Sequence, residues 1–459
     1  MRLAVAMPLL MTGLLVSSIA PRAAGAEAPV PPAPLARLSL EKADLRALRD
    51  RIDTLLRSEM TGIWYPRTVD PAGGFHQNLA RDGSVQPETD RFLVYQARMT
   101  WTAAAFARYA PERAETFGKF ARHGITYLDT VMRDREQGGF HWILGSNGKV
   151  NPRLGTEKHV YGTAFVLYAA SEAYAVTREP RALAVARDAF AWLEEHAHDA
   201  QHGGYFEALT RDGSPIARRD DSKPVSQRTD RLGIYYGFKT MNSHIHLLEA
   251  VAAFYRVERT PEVKQRLEEL LGIVRNRIAV DPGALNLYLT ADWHAAPAHD
   301  SFGHDVETAY LLVEAAEALE FRDTEAVWRR AQQLIDHALD WGWDTEHGGF
   351  YDKGDVFGHR PYDTTKVWWT QAEGLNALLL MHTKYRGETD RYGQAFLKQW
   401  SFIERHQIDR EFGGWYMDVT REGKLMGDGR KATPWKANYH TGRALMNVVK
   451  MLDTLLAEG

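Results

Sequence analysis

A Gly-Gly-aromatic turn recurs along this 459-residue chain at Gly73-Gly74-Phe75, Gly138-Gly139-Phe140, Gly203-Gly204-Tyr205, Gly348-Gly349-Phe350 and Gly413-Gly414-Trp415. A degenerate copy, Asp281-Pro282-Gly283-Ala284, fills the one gap, and the first glycines are 65, 65, 80, 65 and 65 residues apart. An aspartate stands two to four residues before each: Asp70, Asp134, Asp199, Asp281, Asp344 and Asp409. Aspartate followed by paired glycines is turn chemistry, because the carboxylate accepts from nearby backbone amides and glycine tolerates positive φ. A fixed period of this length means a repeat architecture, in which each unit buries its apolar face on its neighbours.

Between turns the pattern is a short extended piece and then two helices. His141-Trp142-Ile143-Leu144 and Phe206-Glu207-Ala208-Leu209 follow their turns and read as hairpin strands. The first helix of each unit is alanine-rich and apolar on most faces, as over Val160 to Ala175, Ile245 to Tyr255, Val306 to Leu319 and Trp368 to Leu380. A helix without a polar face belongs inside. The second is amphipathic, as over Arg181 to His196 and Pro261 to Arg275. Six inner helices ringed by six outer ones predict an all-α fold, an (α/α)6 barrel of six helix-hairpin repeats with short β-hairpins at the repeat turns. An open solenoid is the rival, and the lack of polar capping units favours closure. The surplus of the long third interval falls within Arg211 to Lys239, expected as a polar loop over the rim of a pocket.

The first 26 residues stand apart. Arg2, an apolar stretch from Leu3 to Ile19 and the small-residue Ala24-Gly25-Ala26 read as a secretory signal peptide. A leader over residues 27–40 then precedes a single catalytic domain over 41–459. The expectation is an exported protein, periplasmic or secreted, with no membrane segment after signal cleavage, since no later run of 18 apolar residues exists. A net charge of −4 without a basic block argues against nucleic acid. With no cysteine, disulfides, thiolate metal sites and cysteine nucleophiles are excluded.

Polar and aromatic residues that misfit an apolar core gather near the starts of the inner helices. They are Arg98 in the first unit, His159 and Tyr161 in the second, and Asn242, His244, His246 and Glu249 in the third. The fourth has His304 and Glu307, the fifth Trp368, Trp369 and Glu373, and the sixth Trp435, Tyr439 and His440. Repeat equivalence brings these positions to one mouth of the barrel. A lone histidine there reads as a satisfied core residue, and a lone arginine or tryptophan as packing. Three units each giving a histidine at one level read as a site, because imidazole both accepts and delivers a proton near neutrality. His246-x-x-Glu249 and His304-x-x-Glu307 place a carboxylate on the face of each histidine, where it can orient the ring. The bland alternative is that both acids only favour the helix dipole. A zinc centre could draw on His244, His246, His304 and His440. On a helix, however, residues 244 and 246 point about 200° apart, and tryptophans beside a few polar groups suit a sugar better.

Four segments then carry a resemblance: Met241-Asn242-Ser243-His244-Ile245-His246-Leu247-Leu248-Glu249-Ala250, Ser301-Phe302-Gly303-His304-Asp305-Val306-Glu307, Trp368-Trp369-Thr370-Gln371-Ala372-Glu373 and Pro434-Trp435-Lys436-Ala437-Asn438-Tyr439-His440. In this order they resemble the signature of cellobiose 2-epimerases within the N-acylglucosamine 2-epimerase superfamily, over essentially the whole chain from about residue 40. The resemblance implies an (α/α)6 barrel, no metal, no cofactor, and epimerisation at C2 of the reducing-end aldose of a mono- or disaccharide. It implies that His304 and His440 are the acid–base pair. His246 and Arg98 then assist ring opening and steady an enediolate, with Glu307 among the catalytic groups. Asn242, Tyr161, Trp368, Trp369, Glu373 and Trp435 become the sugar-binding positions. The expected partner is a small sugar, bound by a monomer or weak homodimer. Val367 and Thr370 depart from the usual histidine and proline, which puts the substrate in doubt rather than the reaction class. An aldose–ketose isomerase, an (α/α)6 glycoside hydrolase using Glu307 and Glu373, and a non-catalytic sugar-binding protein are the alternatives.

Overall fold

Helices with no polar face must be covered on all sides, and the architecture does this by setting six of them side by side inside six others. A computed structural model describes residues 39–217, 222, 229–230, 234–356 and 358–458. Among them are twelve α-helices: α1 (Lys42–Glu59), α2 (Leu93–Tyr109), α3 (Ala114–Tyr127), α4 (Val160–Thr177), α5 (Pro180–Trp192), α6 (Met241–Val257), α7 (Pro261–Ile273), α8 (Phe302–Leu319), α9 (Thr324–Trp341), α10 (Trp368–Tyr385), α11 (Arg391–Phe402) and α12 (Tyr439–Glu458). The even-numbered helices touch in sequence, and α12 returns to α2, so the inner ring is closed. The odd-numbered helices pack outside, with α1 against α12. This is the (α/α)6 barrel. In α4 every residue from Val160 to Ala173 is buried, whereas α9 buries one face.

Four of the repeat turns are built the same way. Asp134 Oδ1 accepts from the backbone of Glu136 (3.1 Å) and Gln137 (3.2 Å), and Asp199, Asp344 and Asp409 repeat the pattern. A buried lysine two residues before the next inner helix clamps three of these carboxylates: Lys158 on Asp134 (3.2 Å), Lys239 on Asp199 (2.8 Å) and Lys366 on Asp344 (2.9 Å). Lys431 does the same for Asp409 (2.6 Å). Gly139, at φ +63°, shows why the turn needs glycine: a Cβ there would lie 2.6 Å from the Trp192 ring. The degenerate fourth turn keeps the hairpin, pairing Ala279–Val280 with Ala284–Leu285, but not the clamp. Asp281 points to the surface, against Arg330 (2.9 Å). The place of the lysine before α8 is taken by buried Asp300, which pairs with His337 Nε2 on α9 (2.6 Å).

The strand ahead of each inner helix pairs with the hairpin of the following repeat, as Lys158–His159 does with Ala208–Leu209 and Lys366–Val367 with Asp418–Val419. Leu79 bridges to Ala432 and so joins the first repeat to the last. Two of the inner helices begin where the apolar pattern predicts, at Val160 and Trp368, and two begin earlier, at Met241 instead of Ile245 and at Phe302 instead of Val306. Their first turns hold the polar site residues, so apolarity alone starts the count too late. The Thr240 hydroxyl caps α6 by accepting from Ser243 N (3.1 Å). The signal peptide and nearly all of the leader lie outside the described residues, as does much of the 211–239 loop. No described helix is long and apolar enough to cross a membrane.

Candidate active site

Three histidines enter the barrel mouth from α6, α8 and α12, and each has its Nδ1 occupied. His246 Nδ1 bonds Glu249 Oε1 (2.7 Å), His440 Nδ1 bonds Glu373 Oε1 (2.8 Å), and His304 Nδ1 shares a hydrogen bond with the Ser301 hydroxyl (2.7 Å). Among the described residues the three Nε2 atoms find no hydrogen-bond partner, and they are not sealed from solvent. They are therefore the nitrogens free to exchange protons with a bound molecule. The Trp369 indole sits by both His304 (4.7 Å between ring centroids) and His440 (5.6 Å). It can do so because residue 303 is glycine: a Cβ there would lie 2.5 Å from the indole. Burial pushes His304 and His246 down to about 3 and His440 well below the usual imidazole range.

Behind His246 and His440 lies one buried ion cluster. Arg443 donates from Nη1 to Glu249 Oε2 (2.6 Å) and from Nη2 to Glu307 Oε1 (2.6 Å) and Glu373 Oε1 (2.7 Å). The Tyr439 hydroxyl donates to both oxygens of Glu249 (2.6 and 2.8 Å) and accepts from Arg443. With arginine and tyrosine both donating to Glu249, its oxygens are left to accept from His246 Nδ1, which makes Nε2 the lone-pair nitrogen. Arg98 donates to Tyr161 OH (2.8 Å) and to the Trp435 carbonyl (3.2 Å), and its guanidinium lies over the Phe165 ring. Trp435, 39 % exposed, forms the outer lip against Phe92. Asn242 Oδ1 is sealed from solvent and has no partner among the described residues.

The structure brings these residues to one mouth, with several links that differ from those the spacing suggests. Glu307 does not orient His304; it bonds Arg443 and lies 3.7 Å from His440, because a guanidinium from α12 outcompetes the local imidazole. Glu373, expected on the sugar, is fully buried behind His440. Trp368 is 5 % exposed and belongs to the core, since neighbouring helix positions diverge by about 100°. His244 is a satisfied structural residue, bonded to Thr240 O and Tyr205 N. Thr370 lies buried against Gly303. Arg443 and Ser301 were missed. An arginine among Ala444-Leu445-Met446, three residues after His440, was the available signal.

Ligand-type atoms of Glu307, Glu373 and His440 lie within 4.8 Å of one another, as do those of Asp300, Asp305 and His337. In the first group the Arg443 guanidinium already binds both carboxylates, so it is an arginine-held ion cluster. In the second, burial and then the Asp300 charge push Asp305 well above the carboxylate range, and Asp300 pairs with His337. The two carboxylates needed by a glycosidase must flank the scissile bond. Glu307 and Glu373 instead meet on one guanidinium nitrogen.

A closed six-repeat barrel with histidines facing an aromatic mouth defines a carbohydrate epimerase, an enzyme of the isomerase class. Residues 73–444 match the family described as N-acylglucosamine 2-epimerase (GlcNAc 2-epimerase), and the chain belongs to that family. It is 31 % identical over 405 residues to a cellobiose 2-epimerase of Bacteroides fragilis, covering 88 % of this chain and 98 % of that one. A D-mannose isomerase of Marinomonas mediterranea is 28 % identical over 410 residues, covering 85 % and 94 %. The structure of cellobiose 2-epimerase from Spirochaeta thermophila DSM 6192 superposes with a TM-score of 0.76 at 30 % identity, over 90 % of this chain and 98 % of that one.

Proposed function

We propose that the substrate is the reducing-end aldose of a mono- or disaccharide of the cellobiose, mannobiose or glucose–mannose type, epimerised at C2 by His304 and His440. The observation that carries this reading is the placement of two imidazoles on different helices beside one indole, each with Nε2 free. His246 and Arg98 assist opening of the sugar ring. One histidine removes the C2 proton to give a cis-enediolate, and Arg98 stabilises its oxygen charge in a water-poor setting. After the intermediate turns, the other histidine returns a proton to the opposite face. Return of the proton to C1 would give a ketose; this second reading draws on the D-mannose isomerase relative. Asn242, Tyr161 and Trp435 line the path the sugar takes. The protein is read as exported through its signal peptide, as a monomer or weak homodimer.

The test is incubation of the purified protein with glucose, mannose, N-acetylglucosamine, cellobiose and mannobiose in deuterated water, with NMR of the products. The expected result is a C2 epimer carrying deuterium at C2, formed at the same rate after exhaustive chelation. A ketose as the main product would select isomerisation. Turnover of none of these sugars, or hydrolysis, would overturn the proposal.

A further inference from the structure

The ion cluster has more carboxylates than cations. Glu249, Glu307 and Glu373 share the interior with Arg443 and Arg98, and none of the five is more than 4 % exposed. Three carboxylates against two guanidinium groups leave the site one positive charge short, and an uncompensated buried charge is costly. His246 and His440 each present Nδ1 to a carboxylate that Arg443 also holds, through the opposite oxygen of Glu249 and the same oxygen, Oε1, of Glu373. We propose that Arg443 is a positioning residue that couples His246 to His440, so that the two rings hold one extra proton between them and His440 acts as an acid while it carries that proton. His304, whose Nδ1 meets only a neutral hydroxyl, stays outside this coupled pair and serves the opposite face of the sugar. The inference rests on the epimerase reading of the site.

The charged and titratable groups facing the pair are Arg98 on α2, Tyr161 on α4, Glu249 on α6, His304 and Glu307 on α8, Glu373 on α10, and Tyr439 and Arg443 on α12. Burial raises Glu249 and Glu373 to about 7, and Arg443 pulls each back. Burial lowers both histidines, and Glu307 opposes it at each ring. Glu307 is thus the charge common to both, although it bonds neither.

The experiment uses the full enzyme with 13C-labelled histidine, following the imidazole resonances of His246 and His440 against pH alongside the pH profile of kcat. Glu307→Gln removes one negative charge with little change of shape. It should move the His440 titration and the alkaline limb of kcat down by about one pH unit. Arg443→Met should move both up, and the double variant should return them near wild type. His246→Gln should raise the His440 titration by about one unit, because the competing ring is gone. A structural role for Arg443 would lower the melting temperature without moving these curves. An unmoved His440 titration in both Glu307→Gln and His246→Gln overturns the coupling, even if Arg443→Met fails to fold. Because the resonances are read without substrate, absence of sugar turnover would refute the epimerase reading and leave the coupling test intact.

Discussion

On the α8 flank of the pocket His304 is held by one hydroxyl, Ser301 at 2.7 Å, with no carboxylate at its Nδ1. On the α12 flank His440 leans on Glu373 at 2.8 Å, with Glu307 at 3.7 Å and Arg443 bonded to both acids. The same side chain therefore sits in two opposite settings. At His304 no carboxylate opposes the burial that favours the bare ring, whereas at His440 Glu307 works against that burial and lessens the cost of an imidazolium. The division of labour is set by what stands behind each ring.

The largest effect expected from this contrast is loss of either ring. His304→Ala and His440→Ala should each lower kcat by about 10²–10⁴-fold, the worth of a positioned proton-transfer group. Each should still exchange the C2 proton of one epimer with solvent deuterium, and the two variants should favour opposite epimers. Near-normal conversion in either variant would remove that histidine from the pair. Next come the supports. Glu373→Gln should cost about 10–100-fold in kcat, as for other partners behind a functional imidazole. Ser301→Ala loses one neutral hydrogen bond, worth about 1 kcal/mol, and should cost less than tenfold. Equal losses would erase the distinction between the flanks.

The smallest effect is on stability. The folded His304 ring is held down to about 3, by burial first and then by His246 and His299, against 6.5 when unfolded. Between these values the unfolded chain binds more protons, so the contribution of His304 is complete above about pH 6.5 and is lost as the pH falls towards 3. The melting temperature should therefore drop from pH 6.5 to 4, and His304→Gln should lessen that drop. An identical slope would show that the ring is already well hydrated.

Local spacing made half of this site legible. His246 and Glu249, three residues apart on one helix, meet as their spacing demands. The same spacing fails for His304 and Glu307, because the choice is made by Arg443, 136 residues further along. No local pattern reports such a competitor. The fold was easier to read, since the Asp-Gly-Gly turns and apolar inner helices are each local signals repeated along the chain. Trp368 and Trp369 show a missed opportunity: adjacent helical positions cannot share a face, so one of them had to belong to the core.

The closed ring also limits how such a protein can change. An open stack of repeats can gain or lose a unit at either end and still work. Here all six inner helices contribute: Arg98, Tyr161, His246, His304, Trp369 and His440 come one from each. Arg443 must reach from the last of them to carboxylates on α6, α8 and α10 at once. A fifth or seventh side to the ring would alter its circumference and break that reach, so duplication of a unit, the usual route by which repeat proteins diversify, is closed to this one.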